Sequence, residues 1–307
     1  KEMNRHMGAT IRVLVPFLAV LGLLGPDLAF AQGGVLLYTR QPTSEPPYKQ
    51  IHRMNADGTG DASLTSLANG LNYPDWSPDA LRIAACRYVS STAWSIYSLN
   101  ADGGGLTRLT DTPNVLDCEP DWSPDGARIV FTRMNASYEN EQLWLMNADG
   151  SDLRALGRAG SAPHWSPDGS RLVYHACRGG SYGVYVCDAD GANEAALLVS
   201  GGNEMLPAWS PDGRRIAFVS DRDGNPEIYV MNADASDQVR LTNNTARDYD
   251  PAWSPDGSLI AFESDASGSL DHWEIYLLRS AGTNLRRLTH LASNVTAICP
   301  DWMPQDL

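Results

Sequence analysis

The residues best suited to chemistry fall at one recurring position. Between a proline and a tryptophan stand Asp75, Asp121, His164, Ala208, Ala252 and Asp301. Carboxylates and an imidazole converging on one point hold a cation, such as calcium, or the basic end of a partner peptide. The competing assignment is that they bond to neighbouring backbone or arginine groups. Gly179-Gly-Ser-Tyr-Gly183 has the Gly-x-Ser-x-Gly spelling of a hydrolase nucleophile. That chemistry needs a strand-to-helix elbow, whereas here the motif joins two strand-like runs and no helix follows. His52, His164, His175, His272 and His290 stand at non-equivalent places and give no metal-ligand spacing. The aspartates of the recurring Ser-Pro-Asp-Gly and Asn-Ala-Asp-Gly lack EF-hand spacing and suit tight turns. The three acids of Asp221-Arg-Asp-Gly-Asn-Pro-Glu227 read as a solvated turn by the same reasoning.

Five cysteines, Cys86, Cys118, Cys177, Cys187 and Cys299, form no zinc-type cluster. Cys177 and Cys187 flank a glycine-rich hairpin turn and are the candidate disulfide, and the odd total leaves at least one thiol. Net charge is −14, and Lys1 and Lys49 are the lysines among 23 basic residues. A basic footprint for nucleic acid or an anionic membrane is missing. Arg5 and Arg12, the apolar run 13–24 and the small residues Ala29 and Ala31 have the layout of a secretory signal peptide over residues 1–31. The expectation is an exported chain over residues 32–307, periplasmic or secreted, with no membrane span and no lipid anchor. Export makes disulfides permissible.

The elements that must position these residues come from a repeat. Tryptophans followed by Ser-Pro-Asp stand at Trp76, Trp122, Trp165, Trp209 and Trp253, and Trp302-Met-Pro is an altered sixth copy. Their spacings are 46, 43, 44, 44 and 49 residues, the period of a propeller blade. Each unit reads as four strands. The first ends at Trp and turns through Ser-Pro-Asp-Gly, where Pro presets φ and Gly supplies positive φ. The second follows as in Arg215-Ile-Ala-Phe-Val-Ser220, the third as in Glu227-Ile-Tyr-Val-Met231, and a short fourth as in Arg240-Leu-Thr242. The tryptophans and the Asn-Ala-Asp-Gly copies run out of phase. Blade 1 therefore combines residues 33–67 with 300–304, and blades 2 to 6 span roughly 73–110, 119–157, 162–199, 206–242 and 250–289. The fold predicted is all-β, a six-bladed propeller of four-stranded blades whose ring is closed by the C-terminal strand. The repeated Trp is then inter-blade core rather than a stacking platform.

The series Pro-Ala-Trp-Ser-Pro-Asp-Gly, Ile-Ala-Phe, Ser220-Asp-Arg-Asp-Gly-Asn-Pro-Glu-Ile-Tyr-Val-Met-Asn232 and Arg240-Leu-Thr242 resembles the β-propeller repeats of TolB, over the whole of residues 32–307. The resemblance implies a non-catalytic propeller of the bacterial envelope, acting through contacts with a protein or peptide such as an envelope lipoprotein. TolB carries an α/β domain ahead of its propeller, whereas here residues 32–33 alone separate the expected cleavage site from the first strand. The likeness is therefore to a TolB-like propeller without that domain, expected to act as a monomer and to need no cofactor unless the acidic rim takes a cation. The first strand of a blade lies innermost, which puts Asp75, Asp121, His164 and Asp301 beside the channel. The alternative is a propeller enzyme of the lyase, lactonase or esterase kind with a site at the channel mouth. Two or more His, Asp or Glu side chains converging within metal-ligand distance on the axis would tell against the non-catalytic reading, and their absence would leave the enzyme with no site.

Overall fold

The computed structural model describes residues 34–42, 49–66, 70–266 and 272–305. The leader expected over residues 1–31 lies outside the described residues. Strands β1 (Val35–Pro42), β2 (Gln50–Asn55) and β3 (Ala62–Ser63) come first. Blade 2 consists of β4 (Leu71–Trp76), β5 (Arg82–Ser90), β6 (Ala93–Asn100) and β7 (Thr107–Arg108). Blade 3 follows as β8 (Val115–Trp122), β9 (Arg128–Asn135), β10 (Gln142–Asn147) and β11 (Arg154–Ala159). Blade 4 is β12 (Ser161–Trp165), β13 (Arg171–Arg178), β14 (Ser181–Asp188) and β15 (Ala195–Leu198). Strands β16 (Glu204–Trp209), β17 (Arg215–Ser220), β18 (Glu227–Asn232) and β19 (Val239–Arg240) make blade 5. Blade 6 comprises β20 (Asp248–Trp253), β21 (Leu259–Ser264), β22 (Glu274–Arg279) and β23 (Arg286–Arg287).

The last strand, β24 (Val295–Trp302), pairs antiparallel with β1, giving the order β24-β1-β2-β3. Blade 1 is thus completed from the far end of the chain, by a strand that begins at Val295 rather than Pro300. The first strands pack in a cycle, β4 on β8, β8 on β12, β12 on β16, β16 on β20, β20 on β24 and β24 on β4. Blades 2 and 3 are also joined by one parallel backbone pairing, Trp94 to Leu116. Among the described residues no helix is long and apolar enough to cross a membrane.

Local chemistry explains why each unit repeats. In the Ser-Pro-Asp-Gly turns the Ser hydroxyl donates to the Asp carboxylate, as in Ser210 Oγ to Asp212 Oδ1 (2.6 Å), and accepts the N–H of Arg215 (2.9 Å). Gly213 then takes φ +68°, a left-handed conformation that glycine adopts without strain. In Arg-Leu-Thr, the Thr hydroxyl accepts the first N–H of the third strand's apolar run, as in Ile228 N to Thr242 Oγ1 (2.9 Å). Each repeated Trp sits in a core cluster shared by two blades. Trp209, for example, packs with Val173 and Val184 of blade 4 and Phe218 of blade 5. Arginines at the start of the second strand cover the next blade's indole: Arg82 lies 4.7 Å from the Trp122 ring centre and Arg215 4.6 Å from that of Trp253.

Candidate functional site

The six first strands surround an axial funnel of about 470 Å³. Its mouth is ringed by the turn prolines, Pro78, Pro124, Pro167, Pro211, Pro255 and Pro304. Below them lies the tier predicted from the repeat: Asp75, Asp121, His164 and Asp301 on one side, Ala208 and Ala252 on the other. One turn of pleat deeper is a second tier, Tyr73, Glu119, Ala162, Leu206, Asp250 and Cys299. Each residue of this deeper tier precedes the proline and adopts positive φ, between 48° and 53°. A non-glycine residue there is costly, more so before proline. The strain coincides with a register shift in every blade, for instance between Asn72 and Asp75. It is therefore a β-bulge that aims these side chains at the axis.

Two kinds of latch tie the upper tier to the ring. Trp76 N–H donates to Asp301 Oδ2 (2.9 Å), Trp122 N–H to Asp75 Oδ2 (2.7 Å) and Trp165 N–H to Asp121 Oδ2 (2.8 Å). His164 Nδ1 lies 3.0 Å from the Trp165 carbonyl oxygen, to which it donates when it carries the proton, and 3.4 Å from Trp209 N, while its Nε2 faces Asp121 Oδ1 at 3.8 Å. Where the tier carries alanine, the next indole donates to the alanine carbonyl instead: Trp253 Nε1 to Ala208 O and Trp302 Nε1 to Ala252 O, both 3.1 Å. The backbone-bonding assignment is thus correct for one oxygen of each carboxylate. The second oxygen of Asp121 faces His164, and Asp301 also takes a backbone bond from Trp302.

No Lys or Arg lines the funnel among the described residues, while Asp75, Glu119, Asp121, Asp250 and Asp301 do. Burial pushes Asp75, Asp121, Asp250 and Asp301 toward protonation, reinforced at Asp75, Asp250 and Asp301 by neighbouring carboxylates. Asp301 rises to about 7 by burial and by Asp121, against the pull of the Trp76 N–H. Asp75 is driven well up by burial, then by Asp121 and Asp301. Asp121 is raised by burial and partly restored by His164. On the floor, Asp250 rises to about 7 through burial and Glu119. Glu119 is held by Thr132 Oγ1 (2.8 Å) and Ala162 N–H (2.8 Å).

A tighter group sits on the floor between blades 6 and 1. Ligand atoms of Asp250, Glu263 and Cys299 all lie within 4.8 Å of one another. Glu263 Oε2 accepts the Cys299 N–H (3.0 Å), and burial followed by Asp250 pushes its carboxyl well up. Asp250 and Cys299 each stand two residues before the tier position of their first strand, an alternation that signals them, whereas Glu263 comes from the second strand β21 and has no such signal.

The remaining candidates are placed elsewhere. Ser181 opens β14 opposite Arg178 in a hairpin, with no helix beside it. Of the described histidines, His164 alone lines the funnel. His52 pairs with Asp61 (2.9 Å), His272 with Glu274 (3.0 Å), and His175 is buried in blade 4 with its pKa lowered to about 4 by desolvation. The acids of the Asp221–Glu227 loop are taken up internally: Asp221 by Asn203 N–H, Asp223 by the Tyr229 hydroxyl and Glu227 by Arg240. The hairpin turn is Gly179-Gly180, so Cys177 stands opposite Tyr182 and Cys187 opposite Leu172. The candidate bridge between Cys177 and Cys187 is therefore out of register, with one thiol exposed and the other buried.

The sequence matches the TolB beta propeller domain family, PD40, over residues 53–197 and 161–306. The structure is similar to TolB from Acinetobacter baumannii, with 20% identity and a TM-score of 0.77 over 89% of this chain and 67% of that one. It is also similar to a putative TolB from Agrobacterium tumefaciens, with 21% identity and a TM-score of 0.66 over 89% and 99%. A more distant match is an oligogalacturonate lyase in complex with manganese, at 16% identity and a TM-score of 0.54 over 84% and 74%. A comparison with curated proteins gives no match. Repeats, ring of blades and family match agree, and the chain belongs to the TolB β-propeller family.

Proposed function

We propose that this is a non-catalytic envelope protein, periplasmic or secreted, whose funnel receives a cationic group of a protein or peptide partner. An envelope lipoprotein, as the TolB likeness implies, is the partner class expected. The observation that carries the reading is the lining: among the described residues it holds five carboxylates and no Lys or Arg, and in the upper tier Asp75, Asp121 and Asp301 stand across from Ala208 and Ala252. An amine or guanidinium entering there gains charge-assisted bonds to the lining carboxylates and restores their ionised state. The alanine side and the proline mouth take the apolar flank of the same segment. The test is capture of partners from envelope extract by the wild-type chain and by Asp75→Asn/Asp121→Asn/Asp301→Asn, whose amide oxygens still accept the Trp N–H bonds. Loss of a partner in the variant supports the reading; an unchanged set of partners removes the acidic rim from it.

Asp250, Glu263 and Cys299 favour a second reading, in which the floor takes a divalent cation such as calcium and serves a lyase-, lactonase- or esterase-type reaction. The carboxylates of Asp250 and Glu263 supply the oxygen donors such an ion takes, and the Cys299 sulfur lies within 4.8 Å of both, its thiol held protonated by burial and by those carboxylates. Titration calorimetry with calcium and with manganese, on wild type and Asp250→Asn, tests it. Heat that persists unchanged in Asp250→Asn excludes this group as the site.

A further inference from the structure

The seam between blades 2 and 3 differs from the others at one position. The fourth residue of the second strand's apolar run faces the next blade's first strand. At three seams it accepts a backbone N–H: Thr132 from Ala162 (3.0 Å), His175 from Leu206 (3.3 Å) and Glu263 from Cys299 (3.0 Å). Between blades 2 and 3 this residue is Cys86, and it meets Cys118 with the two Sγ atoms 2.6 Å apart. Unbonded heavy atoms stand about 3.5–4.0 Å apart, whereas a disulfide spans about 2.05 Å. Both side chains are buried, at 0% and 4% exposure, and strands β5 and β8 pack directly. No other residue competes for this contact, because Cys177 and Cys187 are out of register with each other and Cys299 faces the funnel floor.

We propose that Cys86 and Cys118 form a disulfide that staples blade 2 to blade 3. The bond forms by exchange with a disulfide donor, either a dithiol oxidoreductase or a small-molecule disulfide such as oxidised glutathione. Two protein thiols lose two electrons and join, the donor's sulfur–sulfur bond breaks, and the two protons leave on the donor's released thiols. Cys177, Cys187 and Cys299 stay as thiols. The staple ties two funnel-floor residues together, since Cys118 precedes Glu119 and Cys86 pairs in register with Asn72, next to Tyr73.

The test counts thiols on the full chain, produced by export in a bacterial host or refolded with oxidised and reduced glutathione. Alkylation in denaturant without reductant is expected to modify three cysteines, and five after reduction. Peptide mapping is expected to link the segments containing residues 86 and 118. Five modified cysteines without reductant, or a link between any other pair, overturns the proposal. Cys86→Ala and Cys118→Ala should each show four modified cysteines with and without reductant. Where a single variant folds poorly, Cys86→Ala/Cys118→Ala provides the second check. Reductant should lower the melting midpoint of wild type and leave the double variant unmoved; an equal effect on both overturns the staple.

Discussion

Replacing Trp253 and Trp122 by phenylalanine, separately, tests the two latches directly. Both indoles are almost equally buried, at 8% and 5% exposure, and both carry an arginine at 4.6–4.7 Å. Lost ring area and lost cation–π contact therefore cancel between the variants. The difference left is the indole N–H. In Trp253 it donates to Ala208 O at 3.1 Å, whereas Trp122 Nε1 is buried with no acceptor in reach, because the seam there is latched through Asp75 instead. Removing a made bond, with a buried carbonyl losing its partner, costs about 1–2 kcal/mol, and removing an unmade donor costs nothing or relieves a penalty. Trp253→Phe should thus be less stable than Trp122→Phe by about 1–2 kcal/mol. With a urea slope of about 3 kcal/mol/M, the midpoints should differ by about half a molar. Equal midpoints, or Trp122→Phe unfolding at the lower urea concentration, would refute the two-latch account.

Stability should fall as pH rises through the funnel's titration. Asp301 and Asp250 stand at about 7 against an ordinary 3.8, so the folded chain binds more protons than the unfolded one between those values. His175, lowered to about 4, runs in the opposite sense below 6.5. Asp301 is isolated by comparing wild type with Asp301→Asn: melting midpoints at pH 5 and pH 8 should lie closer together in the variant, and an identical spread would count against its raised pKa. Gly103→Ala would put a Cβ 2.0 Å from the Leu64 carbonyl oxygen at φ +85°, whereas Gly157→Ala has φ +69° and meets nothing within 4 Å. The first should cost several times the roughly 1 kcal/mol of the second in denaturant titration; similar costs would show that the blade 1–2 contact gives way freely. The Cys86–Cys118 loop predicts a loss of about 3–4 kcal/mol on reduction, read as the urea midpoint with and without dithiothreitol.

The blades were legible because each carries its own local chemistry: Ser-Pro-Asp-Gly and Arg-Leu-Thr declare their turns within a few residues. The tier of Asp75, Asp121, His164 and Asp301 was legible as well, since blade equivalence transfers one position around the ring. What those carboxylates bond to was not, because each acceptor's donor lies in another blade. Asp250, Glu263 and Cys299 escaped notice for a related reason. Their approach depends on a bulge that turns the residue before proline inward, and on Glu263 reaching across from a second strand. The Cys177–Cys187 expectation failed on the placement of a turn by a few residues. Cys86 and Cys118 lie 32 positions apart, and only seam-by-seam alignment of the repeats brings them together.

The pairing of β24 with β1 has a consequence in time. Blades 2 to 6 each complete from contiguous chain, but Leu36 waits for Trp302. Until β24 arrives, β1 presents an unpaired edge and the ring is an open crescent of apolar seams. During biogenesis, folding of this chain is therefore a race between closure and association with a neighbour's edge. Rapid delivery of the last strand decides the yield of closed rings.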